Sequence, residues 1–296
     1  MGNISFVILN YKAYQEAIAC AESILATQSY PNIRIVIVDN GSGNGSEEQL
    51  RLHFDGEDRV HVIAAEENLG FARGNNLGIA YAREHFSPDF IVAANSDIIF
   101  EQSDYCEKLV EIYHRKPFAI LGSDIIDASR TQHFNPVACE RSYSIPYMRK
   151  QIAVSYAKAF AFRLMKLFHL KKLVEGKEHV TTREENGASV AADVRVDEEM
   201  EGVLLHGCCV VFSRDFFSEF AGFWDGTFLY AEEEILYYLA LKKGMRVLYT
   251  PEVVCMHKEA VTTKILYSDF CAAKIFYFSN VAKSYRKFLK LMKEWE

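Results

Sequence analysis

The sequence predicts an α/β fold with a mainly parallel central sheet and flanking helices, and three observations point to it. Four short, apolar, β-branched runs occupy the first third of the chain, the pattern of strands buried on both faces. Helix-length segments separate them, which implies right-handed crossovers between parallel neighbours. Each run stops at polar residues, and in open α/β sheets ligands gather beyond the carboxyl ends of the strands.

The first strand is Ile4 to Leu9, closed by Asn10-Tyr11-Lys12 and followed by helical periodicity to Ala26. Pro31-Asn32 breaks the chain before Ile33 to Val38, a second strand ending at Asp39-Asn40-Gly41-Ser42. Val60 to Ala64 is the third strand, Ala72 to Glu84 a helix, and Phe90 to Ala94 the fourth strand. That strand runs into Asn95-Ser96-Asp97, where a metal and a phosphate would meet.

With 296 residues, 50% of them hydrophobic, the chain can bury a full core, and one α/β domain with an insertion is expected. The boundaries read as a domain over 1–260, a helical and loop insertion over about 140–200, and a C-terminal helical extension over 261–296. A net charge of -7 disfavours nucleic acid as a partner. The seven cysteines include no C-x-x-C pair, which fits reduced thiols, and Cys208-Cys209 reads as strand core. The N-terminus lacks a basic leader, and no uncharged run reaches the ~18 to 20 residues of a membrane span. A cytoplasmic protein is expected.

Gly41 to Ser46 invites a dinucleotide-site reading, but here the acid precedes the glycines and follows the second strand rather than the first. A carboxylate at that position suits a base imide N–H better than a pyrophosphate; an Asx-turn role for Asp39 has equal weight. In Glu67 to Gly78, Gly74 and Gly78 read as close helix packing. Asn68, Gly70 and Arg73 stand in a loop entering a helix, where free N–H groups and a cation could meet a diphosphate.

Taken together, Val-Ile-Leu-Asn-Tyr at 7–11, Val-Asp-Asn-Gly-Ser at 38–42, Glu-Asn-Leu-Gly-Phe-Ala-Arg-Gly-Asn-Asn at 67–76 and Asn-Ser-Asp at 95–97 resemble a family 2 glycosyltransferase of GT-A fold. The blocks Leu205 to Arg214, Gly222-Phe-Trp-Asp, Thr227 to Glu233, Gly244 to Pro251 and His257 follow in the family's order. The likeness is strongest to rhamnosyltransferase-like bacterial members that build surface polysaccharide, and covers about 3–135 and 200–260. It implies a nucleoside-diphosphate-sugar donor, dTDP- or UDP-linked with dTDP-L-rhamnose among the candidates. It also implies a saccharide acceptor, lipid-linked in such systems, and inversion at the anomeric carbon. Donor contacts carry over to Asn10, Asp39, Asn40, Asn68, Gly70, Arg73, Asn95, Ser96, His206 and Gly207. Asp97 and His257 take the metal positions, with Mg²⁺ or Mn²⁺ the expected ion; a structural histidine is the plainer reading of His257.

The same resemblance places the catalytic base at Glu233 with Glu232 beside it, although this chain has Glu where the family has Asp, and Ile235 where many members carry another acid. Acids in a helix's first turn also simply complement its dipole. From Ile152 to Leu173, Ser155, Lys158, Arg163, Lys166 and His169 recur on one side of a helix and leave a wide apolar face. That face suits either the inner surface of the plasma membrane, as a peripheral contact, or the protein core. Residues 175–199 read as a loop near the acceptor, and the basic, aromatic C-terminus as a helix. Two other readings remain. A sugar-1-phosphate nucleotidyltransferase would need a basic Gly-rich loop after the first strand, and a non-catalytic nucleotide-sugar-binding module would lack the base.

Overall fold

The computed structural model describes residues 2–139, 142–168, 194–258 and 269–295. The four expected strands are present as β1 (Ile4–Asn10), β2 (Ile33–Asp39), β3 (Val60–Ala64) and β4 (Phe90–Asn95), alternating with α1 (Tyr14–Thr27), α2 (Ser46–His53) and α3 (Phe71–Phe86). Further along the chain come β5 (Ile98–Ile99), α4 (Tyr105–Arg115), β6 (Ile120–Asp127), α5 (Ile145–Leu167), β7 (Met200–Glu201) and β8 (Cys209–Ser213). They are followed by α6 (Glu232–Lys242), β9 (Val247–His257) and α7 (Phe270–Glu294).

One nine-stranded sheet runs in the order β3-β2-β1-β4-β8-β6-β9-β5, with β7 against β9. Strands β3, β2, β1 and β4 are parallel, as their apolar runs predict. Beyond β4 the sheet is mixed, because β8 enters antiparallel between β4 and β6 while β9 lies parallel to β6. This reversal brings the start of β8 to the carboxyl end of β4, where Ala94 pairs with Cys209 and Asn95 N–H donates to Cys208 C=O. The sheet's two faces carry separate apolar layers, one under α1, α2 and α4, the other under α3 and α6.

Gly74 and Gly78 let α3 lie close on the sheet, since a Cβ at Gly78 would come within 2.5 Å of Val7 and one at Gly74 within 2.7 Å of Leu9. Cys208 and Cys209 are buried, and all seven cysteines are free. Helix α6 is apolar nearly all round because it is sandwiched: Leu236 and Ala240 face the sheet, while Ile235, Tyr238 and Leu239 meet Met148 of α5 and Phe288, Leu291 and Met292 of α7. Helix α5 starts where Ser144 accepts from Tyr147 N–H, with Pro146 in the first turn. His169 and most of 175–199 lie outside the described residues. Among the described residues, no helix is long and apolar enough to cross a membrane.

Candidate active site

The polar residues at the strand ends form one edge. Asn10 and Asp39 are register partners across β1 and β2, and Leu9 pairs with Asn95 on β4. Asp39, 4% exposed, accepts from Asn10 Nδ2 at 2.7 Å, from the Ser42 hydroxyl, and from Ser42 N–H at 3.4 Å. Asp39 therefore closes an Asx-type turn at the carboxyl edge of the sheet. Asn40 ties this turn to the next loop, accepting from Leu69 N–H and donating to Asn68 Oδ1 and Gly70 C=O.

The loop entering α3 departs from expectation. Three of its N–H groups are taken within the protein: Gly70 N–H donates to Asn68 Oδ1, Leu69 N–H to Asn40, and Phe71 N–H to Phe228 C=O at 2.9 Å. Asn68 and Asn40 take two of them and the 227–231 loop the third, packing so tightly that a Cβ on Gly70 would lie 2.1 Å from Phe228 O. Asn68 and Gly70 thus shape the edge, while the exposed Arg73, with Nε on Leu69 C=O, keeps a guanidinium at its rim.

The tip of β4 meets the end of β9. Ser96 and Asp97 are buried, Asn95 half-buried, and β5 pairs with β9 so that Ile98 opposes His257. His257 Nε2 lies 3.3 Å from Asp97 Oδ2, and its buried Nδ1 has no hydrogen-bond partner among the described residues. His206, at the entrance to β8, accepts from Cys208 N–H through Nδ1, and its own N–H donates to Asn135. The His206 and His257 rings both stand edge-on to Phe134, with ring centres 6.1 Å from each other.

Gly207, next in the chain, lies against the third cluster: a Cβ there would be 3.5 Å from Glu233 Oε2. Two consecutive left-handed residues, Tyr230 (φ 73) and Ala231 (φ 70), precede α6 and set its entry angle. Its three leading glutamates then diverge. Glu232, 5% exposed, accepts from Thr227 Oγ1 at 3.0 Å; burial, and then the charge of Glu233, push its pKa up to about 8. Glu234 is hydrogen-bonded to Tyr285 of α7, whose phenol is held well above its usual range by burial first and by that carboxylate second. Glu233 is the one turned to the sheet edge, beside Gly207 and a narrow slot lined by Val203, Leu205 and Val210. The buried Cys208 thiol is raised chiefly by desolvation and then by its neighbour Cys209.

Residues 5–174 match the profile of "Glycosyl transferase family 2". The chain belongs to that family. Curated relatives of this family 2 member include the low-salt glycan biosynthesis hexosyltransferase Agl10 of Haloferax volcanii, 21% identical over 88% of this chain and 69% of that protein. Glycosyltransferase GlyG of Streptococcus pneumoniae is 33% identical, over 34% of this chain and 32% of its own length. The mannosyltransferase PcManGT of Pyrobaculum calidifontis, solved with GDP-Man and Mn2+, superposes with a TM-score of 0.52 at 12% identity, covering 96% of this chain and 74% of that one. That likeness establishes the shared GT-A fold.

Sequence reasoning gave no role to Thr227, Ser42 or Asn76. Asn76 clamps Phe223 through both its N–H and C=O, at 2.8 and 2.7 Å, and so fixes the segment leading to α6. These contacts join residues far apart in sequence, and no local periodicity announces them.

Proposed function

We propose that this family 2 enzyme moves one sugar, with inversion, from a uracil- or thymine-nucleoside diphosphate to a hydroxyl of a lipid-linked saccharide. The supporting observation is that of Glu232, Glu233 and Glu234, only Glu233 faces the edge where Asp39 and Asp97 also lie. Asp39, held by Asn10 and Ser42, accepts from the base imide N–H. Arg73 meets the diphosphate as a cation, and Asn95, Ser96, His206 and Gly207 line the path from base to sugar.

Asp97 and His257 fit a divalent ion. Their imidazole nitrogen and carboxylate oxygen lie 3.3 Å apart, near enough for both to reach one ion. No cluster of three or more acidic, His or Cys ligands exists among the described residues, so the donor's phosphates would complete the shell. Bound there, Mg²⁺ or Mn²⁺ supplies positive charge to the leaving diphosphate.

Glu233 takes the proton of the acceptor hydroxyl as its oxygen attacks C1 from the face opposite the diphosphate. The bond from C1 to the diphosphate oxygen breaks, its electron pair leaves with the nucleoside diphosphate, and the new glycosidic bond has inverted configuration. Glu232, neutral near pH 7, spares Glu233 a second adjacent negative charge.

The test is a thermal-shift panel of UDP, dTDP, GDP, CDP and NAD, with and without Mn²⁺. A ligand at ~100 times its Kd stabilises by about 2.7 kcal/mol, several degrees for a protein of this size. Mn²⁺-dependent shifts with UDP or dTDP are expected. A shift with GDP alone would move the donor class to guanine, and no shift with any nucleotide would remove Asp39 and Asp97 from their roles.

A further inference from the structure

We propose that the outward face of α5 docks this protein on an anionic lipid bilayer. At 100° per residue, Ala153, Val154, Tyr156, Ala157, Phe160, Ala161, Leu164, Leu167 and Phe168 fall within about 160° of the helix circumference. Every one of them is exposed, with Phe160 at 59%, Phe168 at 63% and Leu167 at 69%. No charged residue interrupts that arc from Ala153 to Phe168. A surface helix of a water-soluble domain turns its polar side outward and buries its apolar one; α5 exposes a wide apolar arc as well as its cations.

The outward apolar arc has a packing cause. The side of α5 that carries Ser155, Ala159 and Phe162 packs against α7, with Lys166 exposed at its margin. Ser155 and Ala159 are buried, Phe162 stacks on Phe278 with ring centres 5.8 Å apart, and Lys166 pairs with Asp269. Small residues on that side let the two long helices lie close, which leaves the wide apolar side facing away.

Charge selects the occupant. The segments 145–168 and 270–294 hold eleven Lys and Arg against a single acid, Glu294, in a chain of net charge -7. Lys158 and Arg163 stand at the two margins of the arc, and Arg286 of α7 reaches Tyr156 at its edge. Long cationic stems beside an apolar face can lay their methylenes along the acyl boundary and their charges among lipid phosphates. A second copy of the same face would instead oppose like charges. The surface does not depend on the transfer chemistry.

The experiment is co-sedimentation of the full chain with vesicles of phosphatidylcholine alone or with about 30% phosphatidylglycerol. The wild type should partition at least tenfold more strongly to the anionic vesicles. Phe160→Glu/Leu164→Glu/Leu167→Glu should lose at least tenfold of that binding while its melting temperature and its nucleotide-induced shift stay within a degree or two. If the triple variant misfolds, Phe160→Ser alone should still weaken binding severalfold. A wild type that ignores anionic vesicles, or a folded triple variant that binds as well as wild type, overturns the proposal. So does a wild-type dimer that the triple substitution converts to monomer without any vesicle binding, which would make the face a contact between copies.

Discussion

His257 Nε2 lies 3.3 Å from Asp97 Oδ2, although Asp97 sits in the turn between β4 and β5 and His257 ends β9, 160 residues later. The pairing of β5 with β9 creates this proximity, and it brings together the two residues proposed to hold the metal. Asp97→Asn preserves the side chain's shape and removes its charge. It should abolish the Mn²⁺-dependent part of the dTDP or UDP stabilisation and leave the ligand-free melting temperature within a few degrees. Isothermal titration with Mn²⁺ and nucleotide checks this, and unchanged metal dependence would take Asp97 out of the site.

Glu233→Gln should lower turnover by roughly 10²-fold or more, the scale of general-base loss, with donor binding nearly intact. Single-turnover rates alongside donor affinity separate the two effects. Glu234→Gln, whose parent carboxylate is engaged by Tyr285, should cost stability rather than rate, so equal losses of rate in both variants would contradict the assignment of the base.

Glu232 makes stability pH-dependent. Its folded pKa, about 8, is above the ordinary 4.5, so the folded state binds the extra proton between those values. Its contribution is therefore complete below about pH 4.5 and is lost as pH rises through 8, to the extent of a few kcal/mol. Glu232→Gln, permanently neutral, should flatten that decline. Urea unfolding at pH 6 and pH 8.5 measures it: the wild type should lose clearly more stability than the variant between the two.

Gly70→Ala combines a φ of +82 with a Cβ 2.1 Å from Phe228 O, a backbone atom that cannot swing aside. A loss of at least ~2 kcal/mol is expected, together with reduced turnover, because the 227–231 loop sets the entry to α6. Gly43→Ala has a similar φ, +62, with open space around it, and should cost only about 1 kcal/mol. Denaturant midpoints for the pair check the contrast.

Much of the parallel half was legible because buried parallel strands announce themselves as apolar runs, and β1 to β4 lie within a residue or two of their expected bounds. The antiparallel entry of β8 was not legible, since Cys209 to Ser213 reads as a strand without saying which neighbour it joins. In the loop entering α3, sequence showed a Gly-containing approach to a helix and therefore free N–H groups. Phe228, more than 150 residues away, consumes one of them.

By itself the sequence determined the α/β class, the polar strand ends, and the family whose motifs occupy them, because these follow from periodicity and short-range order. Tertiary structure decided which glutamate faces the edge: each successive residue of a helix turns by about 100°, so Thr227, Gly207 and Tyr285 could claim one acid each. It also decided which side of α5 looks outward. Hydrophobic periodicity fixes that a helix has two faces, but the partner that packs against it fixes which one is buried.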